Sequence, residues 1–401
     1  MNRLLYLLAI LLVIVGGCDK SDSPSPVQTV PDQVTLLYTV NKNNLASALT
    51  LNKQQVLTAL EKLPSDKYVV LLFQTFSKED ENRQNVEVAG LFKAVSGPHP
   101  EFTLVKEYSR SILSTDPQRI KEVVDDALSF EGEKRNLFFW GHGMAWTPSF
   151  SSHETRANAK ESFSFTETGL SSPIVESFGG DNNSVDWADI DEIRDALPDG
   201  AFDTIWFDCC YMSNIETIYE LRNKCRWMVA YPTEIAARGL PYDLVLPYIL
   251  DKSYDLKSAA KALFDYYILN KTTVTVTVMD MNKIDALASA CRAIYNSGYN
   301  TPKEYGLQNY SRTKSSPFYD LGQFAREYAQ ANDAEELIPA LNKALDNLII
   351  YTDASEKGFD YKVIVKENYS GISTHFFKND ESEKENYYRD LMWYKDTYGS
   401  K

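Results

Sequence analysis

Short apolar runs alternate with amphipathic stretches along most of this chain, which is the pattern of strands that take turns with helices. The apolar runs are nearly continuous, as is typical of strands buried on both faces of a sheet. They predict core strands at residues 34–40, 68–75, 137–140, 204–207 and 227–230, a peripheral hairpin at 86–92 and 102–108, and later strands at 273–279, 363–366 and 372–377.

The stretches between these runs carry helix signals. Ser114, Thr115 and Asp116 stand before Pro117, and such residues favour a helix start because they accept hydrogen bonds from its first N–H groups. The alternation indicates an α/β fold, with helices on both faces of a mostly parallel central sheet. Helices are predicted at residues 53–63, 117–128, 186–196, 213–222, 256–269, 283–295, 318–331 and 334–351.

The amino terminus has the features of an export signal. An arginine precedes an apolar stretch at residues 4–17, which is short for a bilayer span, and Val-Gly-Gly before Cys18 resembles a lipobox. Residues 1–17 are therefore predicted to be a lipoprotein signal peptide, with Cys18 lipidated; a short signal-anchor helix is the alternative. Residues 18–31, rich in Ser, Asp and Pro, predict a flexible tether, and residues 32–401 the folded domain.

A long polar segment at residues 147–185 interrupts the alternation. Such a segment inside a compact domain is functional or disordered. It contains Arg156 and Lys160, the only arginine or lysine between His142 and Arg194. We expect proteolytic cleavage there.

Composition excludes some classes of function. The formal net charge of -15 over 401 residues argues against a nucleic-acid partner, because phosphates require basic surfaces. Five cysteines occur, and no pair has the two-residue spacing of a zinc knuckle. Of the four cysteines after Cys18, we expect three to be buried core thiols. No required cofactor or metal is expected, and His153 and His375 receive no role.

Two segments carry candidate chemistry. His142 follows the strand predicted at 137–140, and Cys210 follows the one at 204–207. A cysteine becomes a strong nucleophile as a thiolate, so it requires an imidazole close enough to take its proton. Because parallel strands end at a common edge, we expect His142 and Cys210 to lie together there, beside the loop after residue 230. Cys209 should point to the opposite face.

These segments resemble the clostripain family of cysteine peptidases, which belongs to the caspase-like clan with gingipains and legumain. The likeness rests first on His142-Gly143 after one strand and on Asp208-Cys209-Cys210-Tyr211-Met212-Ser213 after the next. It extends over most of the mature chain and implies a three-layer α/β/α caspase-like sandwich. Further landmarks are Val34-Thr35-Leu36-Leu37-Tyr38, Asn43-Asn44-Leu45, Gly239, Pro241, Tyr242, Asp320-Leu321 and Gly371-Ile372-Ser373.

The resemblance implies a role for several site residues. Cys210 would be the nucleophile, His142 the base, and the backbone N–H groups of Gly143 and Cys210 the oxyanion hole. Asp208 matches a family position that binds the basic P1 side chain of a substrate, and Glu234 would form a second acidic lip of that pocket.

The resemblance also implies a biological setting. It indicates an endopeptidase that cleaves protein or peptide substrates after Arg or Lys. The predicted signal peptide and lipobox indicate that this endopeptidase is exported and anchored through Cys18 to the bacterial envelope, in the periplasm or at the surface. Self-processing in the family suggests cleavage at Arg156 or Lys160. The resemblance also implies that calcium promotes the peptidase activity. The residues themselves do not indicate a calcium site, because Asp181-Asn182-Asn183 is a weak ligand cluster.

Other interpretations stay open at this point. Asp208 could cap the following helix, and Glu234 could be a solvated loop charge. Met144 and Ala145 stand where the family commonly has a second glycine, which favours a non-catalytic surface lipoprotein that binds peptides or glycans. The same Cys-His pair could also serve an amidase or a transpeptidase, because the acyl-enzyme can be resolved by another nucleophile.

Overall fold

We describe a computed structural model of the chain at residues 30–80, 82–148, 178–180, 186–311, 317–359, 362–377 and 382–399. The predicted signal peptide, Cys18, almost all of the tether, Arg156, Lys160 and residues 181–183 lie outside the described residues. The residues from Pro31 onward belong to one compact unit.

A nine-stranded sheet runs through the centre of this unit. Its strands are β1 Gln33–Thr39, β2 Tyr68–Glu79, β3 Asn85–Val95, β4 Thr103–Tyr108, β5 Lys134–Trp140, β9 Phe202–Asp208, β10 Cys225–Ala230, β11 Thr275–Asp280 and β13 Ile349–Ala354. Their order in the sheet is β13-β11-β10-β9-β5-β1-β2-β3-β4, and the five strands from β10 to β2 are parallel to one another.

Two smaller sheets flank the large one. The first joins three short strands, β6 His142–Gly143, β7 Phe178–Gly180 and β8 Asp186–Ala188, and the second pairs β12 Tyr319–Asp320 with β14 Ser373–Thr374. The first of these sheets begins with β6, which follows the end of β5 after one residue. It therefore lies at the edge of the large sheet where the candidate residues are expected.

Helices cover both faces of the large sheet. Successive residues of a strand point to opposite faces, so Leu36 and Tyr38 of β1 enter one core and Leu37 enters the other. One face packs against α1 Ala46–Glu61, α5 Tyr242–Ile249 and α6 Leu256–Leu269. The other packs against α2 Pro117–Leu128, α3 Ile190–Ala196, α4 Ile215–Glu220, α7 Ile284–Tyr295, α8 Leu321–Ala331, α9 Ile338–Leu348, α10 Glu383–Asp390 and α11 Met392–Thr397.

This arrangement confirms the predicted α/β class and the three layers. The predicted capped start of α2 is confirmed too, since the Gln118 N–H donates to the Asp116 carboxylate at 2.8 Å. Within the described residues, no helix is both long and apolar enough to cross a bilayer.

Several predicted elements differ from the structure. The helix predicted at 334–351 ends at Leu348, and the β-branched residues after it form β13, which pairs with β11. The strand predicted at 363–366 is wrong, because Val363 makes only one bridge, with Lys357. The strand predicted at 372–377 is limited to β14. Helix α1 begins at Ala46, earlier than predicted, and α5, α10 and α11 were not predicted.

Candidate active site

The two candidate catalytic residues lie at the same edge of the large sheet. β5 and β9 are parallel neighbours, and Trp140 lies opposite Asp208 in their register. His142 and Cys210 each follow two residues beyond this aligned pair. The structure therefore places the histidine and the cysteine that the sequence singled out at the same edge of the sheet.

Gly143 shows how closely the two loops approach each other. A Cβ atom built on Gly143 would lie 2.6 Å from the carbonyl oxygen of Cys210 and 2.9 Å from the Cβ of Cys209. Real Cβ atoms do not approach a backbone oxygen so closely, so this contact requires glycine. The loop after His142 thus packs directly on the backbone of the predicted nucleophile.

The imidazole of His142 is held by polar and aromatic neighbours. His142 lies opposite Gly179 in the β6–β7 pair, and its Nε2 is 2.7 Å from Oδ1 of Asn44. The ring centroids of Trp187 and His142 are 6.0 Å apart. A Cβ built on Gly180 would lie 3.0 Å from the Cδ2 of His142. Desolvation by these surroundings lowers the pKa of His142 to about 4. The ring is therefore neutral at pH 7 and can accept a proton.

The thiol of Cys210 is partly exposed at the edge of the sheet. Its Sγ lies 3.4 Å from the backbone nitrogen of Ile235, which donates to it, and 3.8 Å from the Ile235 carbonyl oxygen. The next residue, Tyr211, has a left-handed backbone with φ +64° and donates its N–H to the Thr233 carbonyl at 3.0 Å. The chain after Cys210 is thereby attached to the loop that follows β10.

Cys209 differs sharply from its neighbour. It is completely buried, its thiol donates to the Phe139 carbonyl at 3.2 Å, and burial raises its pKa well above the ordinary value. Burial likewise raises the pKa of Cys225 and of Cys291 to about 12. These three thiols are core residues, as predicted.

Asp208, two residues before Cys210, is a buried carboxylic acid. Its Oδ2 accepts hydrogen bonds from the Leu240 N–H at 3.1 Å and from the Tyr242 hydroxyl at 2.9 Å. Its Oδ1 is buried and has no hydrogen-bond partner within the described residues. Burial raises the pKa of Asp208 to about 6, although the two hydrogen bonds oppose this shift. Gly239, at φ +63°, lets the backbone pass against the carboxylate.

The alternative that Asp208 caps the next helix is wrong. Helix α4 begins after Asn214, whose side-chain oxygen accepts from the Thr217 N–H at 3.4 Å. Because Asn214 fills the capping position, the burial of Asp208 is not explained by a cap.

A sequence profile of the clostripain family of peptidases matches residues 99–401. The chain belongs to the clostripain family. A search of curated proteins gave no match. The family predicted from the sequence is confirmed, and the chain is a member of a family of cysteine peptidases.

Solved clostripain-family structures share the fold. A secreted C11 cysteine protease from Bacteroides thetaiotaomicron, in complex with an irreversible peptide inhibitor, has a TM-score of 0.72 and 20% identity, covering 92% of this chain and 99% of that one. An inactive zymogen C11 protease from Parabacteroides distasonis has a TM-score of 0.72 and 21% identity, with the same coverage. This likeness confirms the mixed α/β architecture with helices around a large, mostly parallel sheet.

The departure from the common clostripain-family glycine lies inside the core. Met144 is almost completely buried, and Ala145 is completely buried. Ala145 has a left-handed backbone conformation with φ +57°. A non-glycine residue can adopt this conformation at a cost of about 1 kcal/mol. Ala145 therefore adopts without glycine a backbone conformation that glycine adopts more readily.

The remaining predicted residues lie in different surroundings. Glu234 is partly buried, and its Oε1 accepts a hydrogen bond from the Tyr211 hydroxyl at 2.8 Å. His375, which received no role, is buried, and its Nε2 lies 2.6 Å from Glu385 Oε1. In the described residues, no group of three His, Cys, Asp or Glu side chains could hold a metal ion.

Three residues of this edge were missed as functional candidates. Asn44 and Tyr242 were noted only as landmarks of the resemblance, although each contacts a predicted site residue. Ile235 carries no sequence signal, because it contacts Cys210 through its backbone.

Proposed function

We propose that this protein is an exported, lipid-anchored cysteine endopeptidase that cleaves peptide bonds after lysine or arginine. The observation that supports it most is the presence of Cys210, His142 and a buried carboxylate, Asp208, at one edge of the sheet. Membership in the clostripain family supports peptide-bond cleavage by a cysteine. The Asp208 Oδ1 atom, which has no hydrogen-bond partner within the described residues, supports a preference for a basic P1 residue.

The first half of the reaction forms an acyl-enzyme. Neutral His142 takes the proton of the Cys210 thiol as the sulfur attacks the carbonyl carbon of the scissile bond. Negative charge develops on the carbonyl oxygen, where the backbone N–H groups of Gly143 and Cys210 would stabilise it. His142 then gives its proton to the leaving amine, and a thioester to Cys210 remains.

The second half releases the acyl group. His142 takes a proton from water as the water oxygen attacks the thioester carbonyl. The tetrahedral intermediate collapses, the carbon–sulfur bond breaks, and the proton returns to the Cys210 sulfur. The enzyme is regenerated with no net change, so this cycle requires no cofactor.

Asp208 would provide the charge for P1 recognition. A lysine or arginine side chain that reaches Oδ1 would supply the missing hydrogen bond and a positive charge in a buried environment, where such a pair is strong. Glu234, fixed by Tyr211, would add a second negative charge near the nucleophile.

Location and processing are part of the proposal. The sequence of residues 1–18 supports export and lipidation, and a related B. thetaiotaomicron protease is described as secreted. Fatty-acid labelling of the expressed protein should therefore be lost in Cys18→Ser. The presence of Arg156 and Lys160 in the polar segment supports self-cleavage there. If mass spectrometry of a fully active sample shows an uncut segment, self-cleavage is wrong.

The central test uses peptide reporters that end in lysine or arginine. Cys210→Ala and His142→Ala should abolish hydrolysis, because one removes the nucleophile and the other the base. Cys209→Ala is the matched control, because Cys209 is one residue away and completely buried, and this variant should retain much of the activity. Hydrolysis that survives Cys210→Ala would contradict the proposal.

The same protein separates the competing functions. A basic chloromethylketone should add covalently to Cys210, whereas a non-catalytic binding protein would stay unlabelled. Amine acceptors in the assay should leave hydrolysis as the main outcome, whereas a transpeptidase would form transfer products. Adding EDTA and then calcium tests whether this member depends on calcium.

A further inference from the structure

Asn44 contacts the candidate catalytic histidine from a distant part of the sequence. Its Oδ1 lies 2.7 Å from Nε2 of His142, a distance typical of a short hydrogen bond. A carboxamide oxygen only accepts hydrogen bonds, so Nε2 carries the proton in this pair. The other ring nitrogen, Nδ1, is then the one that holds a lone pair and can accept a proton.

The turn that carries Asn44 is fixed by the preceding residue. The Asn43 side chain accepts from the Leu45 N–H at 2.9 Å and donates to the carbonyl oxygens of Val40 at 3.0 Å and Gly179 at 3.3 Å. Gly179 lies opposite His142 in the β6–β7 pair. Asn43 thus attaches the Asn44 turn to the strand beside the imidazole.

A purely structural role does not explain Asn44. Its side chain is exposed, so it contributes little to the core. Helix α1 begins just after it, but no side chain caps that helix at its N-cap residue, Leu45. Asn43 already makes the hydrogen bonds that shape the turn. The contact of Asn44 with His142 is what remains to be explained.

We propose that Asn44 is a positioning residue for His142, which it holds in the tautomer and orientation needed to take the proton of Cys210. This inference rests on the proposed function, since it assigns a partner to the base of that reaction. The carboxamide oxygen accepts from Nε2–H in both the neutral and the protonated ring, so the hydrogen bond persists while the proton passes through Nδ1.

An amide has a different effect from a carboxylate at this position. A carboxylate would stabilise the charged imidazolium and raise the pKa of His142, whereas the neutral amide orients the ring without adding charge. Asn44 is therefore suited to a histidine that stays neutral until the thiol proton is transferred. Replacing it by aspartate keeps the acceptor but changes the electrostatics, which gives a sharp pair of variants.

Kinetics with lysine reporters test the proposal first. Asn44→Ala should lower kcat by about ten- to a hundredfold with little change in KM, because the base loses its orientation but the P1 pocket is untouched. Asn44→Asp should restore most of kcat and move the acid limb of the pH profile upward by about one pH unit or more. Ser47→Ala, an exposed change in the first turn of α1, is the matched control and should behave as wild type.

A second measurement does not depend on peptidase activity. The chain has four histidines, so ¹⁵N-histidine spectra are simple, and His142→Gln identifies the signal of His142. Wild type should show the Nε2–H tautomer, Asn44→Ala a mixture of tautomers, and Asn44→Asp a His142 that protonates at higher pH.

The outcomes separate the two claims. If Asn44→Ala keeps wild-type kcat and the Nε2–H tautomer, the positioning role is wrong while the peptidase stands. An Nδ1–H tautomer in wild type would also overturn the role. If wild type hydrolyses no reporter, the proposed function fails, and the spectra still decide whether Asn44 fixes the imidazole.

Discussion

Adjacent residues at the end of β9 have opposite environments. Cys209 is buried in the core, whereas Cys210 is partly exposed at the edge of the sheet where His142 also lies. The sequence predicted this difference from the alternation of side chains along a strand, although both residues follow Asp208, the last residue of β9. The contact of Asn44 with His142 could not be predicted in that way. It depends on a turn distant in sequence, and turn geometry leaves no periodic signal.

Asp208, the residue proposed to bind P1, carries a cost in stability. Its pKa is about 6 in the folded protein against an ordinary value of 3.8. Between these two pH values the Asp208 carboxyl is ionised in the unfolded chain but protonated in the folded protein. The free energy of unfolding therefore falls as the pH rises through this window. Above pH 6 the loss is complete, on the order of 3 kcal/mol.

Asp208→Asn should therefore stabilise the protein and impair it. At pH 7.5 we expect the free energy of unfolding in urea to rise by about 1–3 kcal/mol, with little difference from wild type below pH 4. The kcat/KM ratio between lysine and uncharged norleucine reporters should collapse toward unity, because the charge at P1 loses its partner. In wild type the same ratio should decline as the pH falls through about 6.

Both halves of this prediction can fail separately. An unchanged lysine preference in Asp208→Asn would remove Asp208 from P1 recognition. Equal stability of the two proteins at pH 7.5 would show that the carboxyl carries no ionisation cost in the fold.

The elements that form the site meet through register. Trp140 and Asp208 are aligned, so the segments after β5 and β9 emerge side by side. The sequence predicted this meeting, since both strands are short, continuous apolar runs of a parallel sheet. It did not predict β6, β7 and β8, because two- and three-residue strands owe their pairing to distant partners. It also extended the helix at 334–351 through β13, because a short apolar run fits either element.

A substitution at Gly143 can test how closely the segments after β5 and β9 must approach each other. Gly143→Ala should push the loop after His142 away from the Cys210 backbone, because its Cβ would lie 2.6 Å from the carbonyl oxygen. Activity on lysine reporters should fall by about a hundredfold or more, with the far-UV circular dichroism unchanged. Under the proposed mechanism, this loss would combine displacement of His142 with distortion of the oxyanion hole.

Gly141→Ala is the control for this prediction. Its Cβ would lie 3.4 Å from the nearest atoms, which is ordinary contact, and its φ is not left-handed. It should keep activity within about tenfold of wild type, since a small shift absorbs the methyl group. Equal effects of the two variants would contradict the argument that this close approach aligns the dyad.

At the scale of the whole molecule, the polar segment at 147–185 divides the sequence but not the core. β1 to β5 precede the segment, and β9, β10, β11 and β13 follow it, yet β5 and β9 are neighbours in one sheet. Both hydrophobic cores contain residues from before and after the segment. His142 and Cys210 therefore come from opposite sides of the predicted cleavage sites.

A protein cut at Arg156 or Lys160 should consequently remain a single, active particle. Limited trypsin treatment should give two bands on a denaturing gel but one gel-filtration peak at the elution volume of the intact protein, since the β5–β9 contact is buried on both faces. The double variant Arg156→Ala, Lys160→Ala should resist this cut and show one band, which mass spectrometry of the products can verify. Fragments that separate without denaturant would refute the prediction, because the dyad would then depend on an intact backbone rather than on the packing of the sheet.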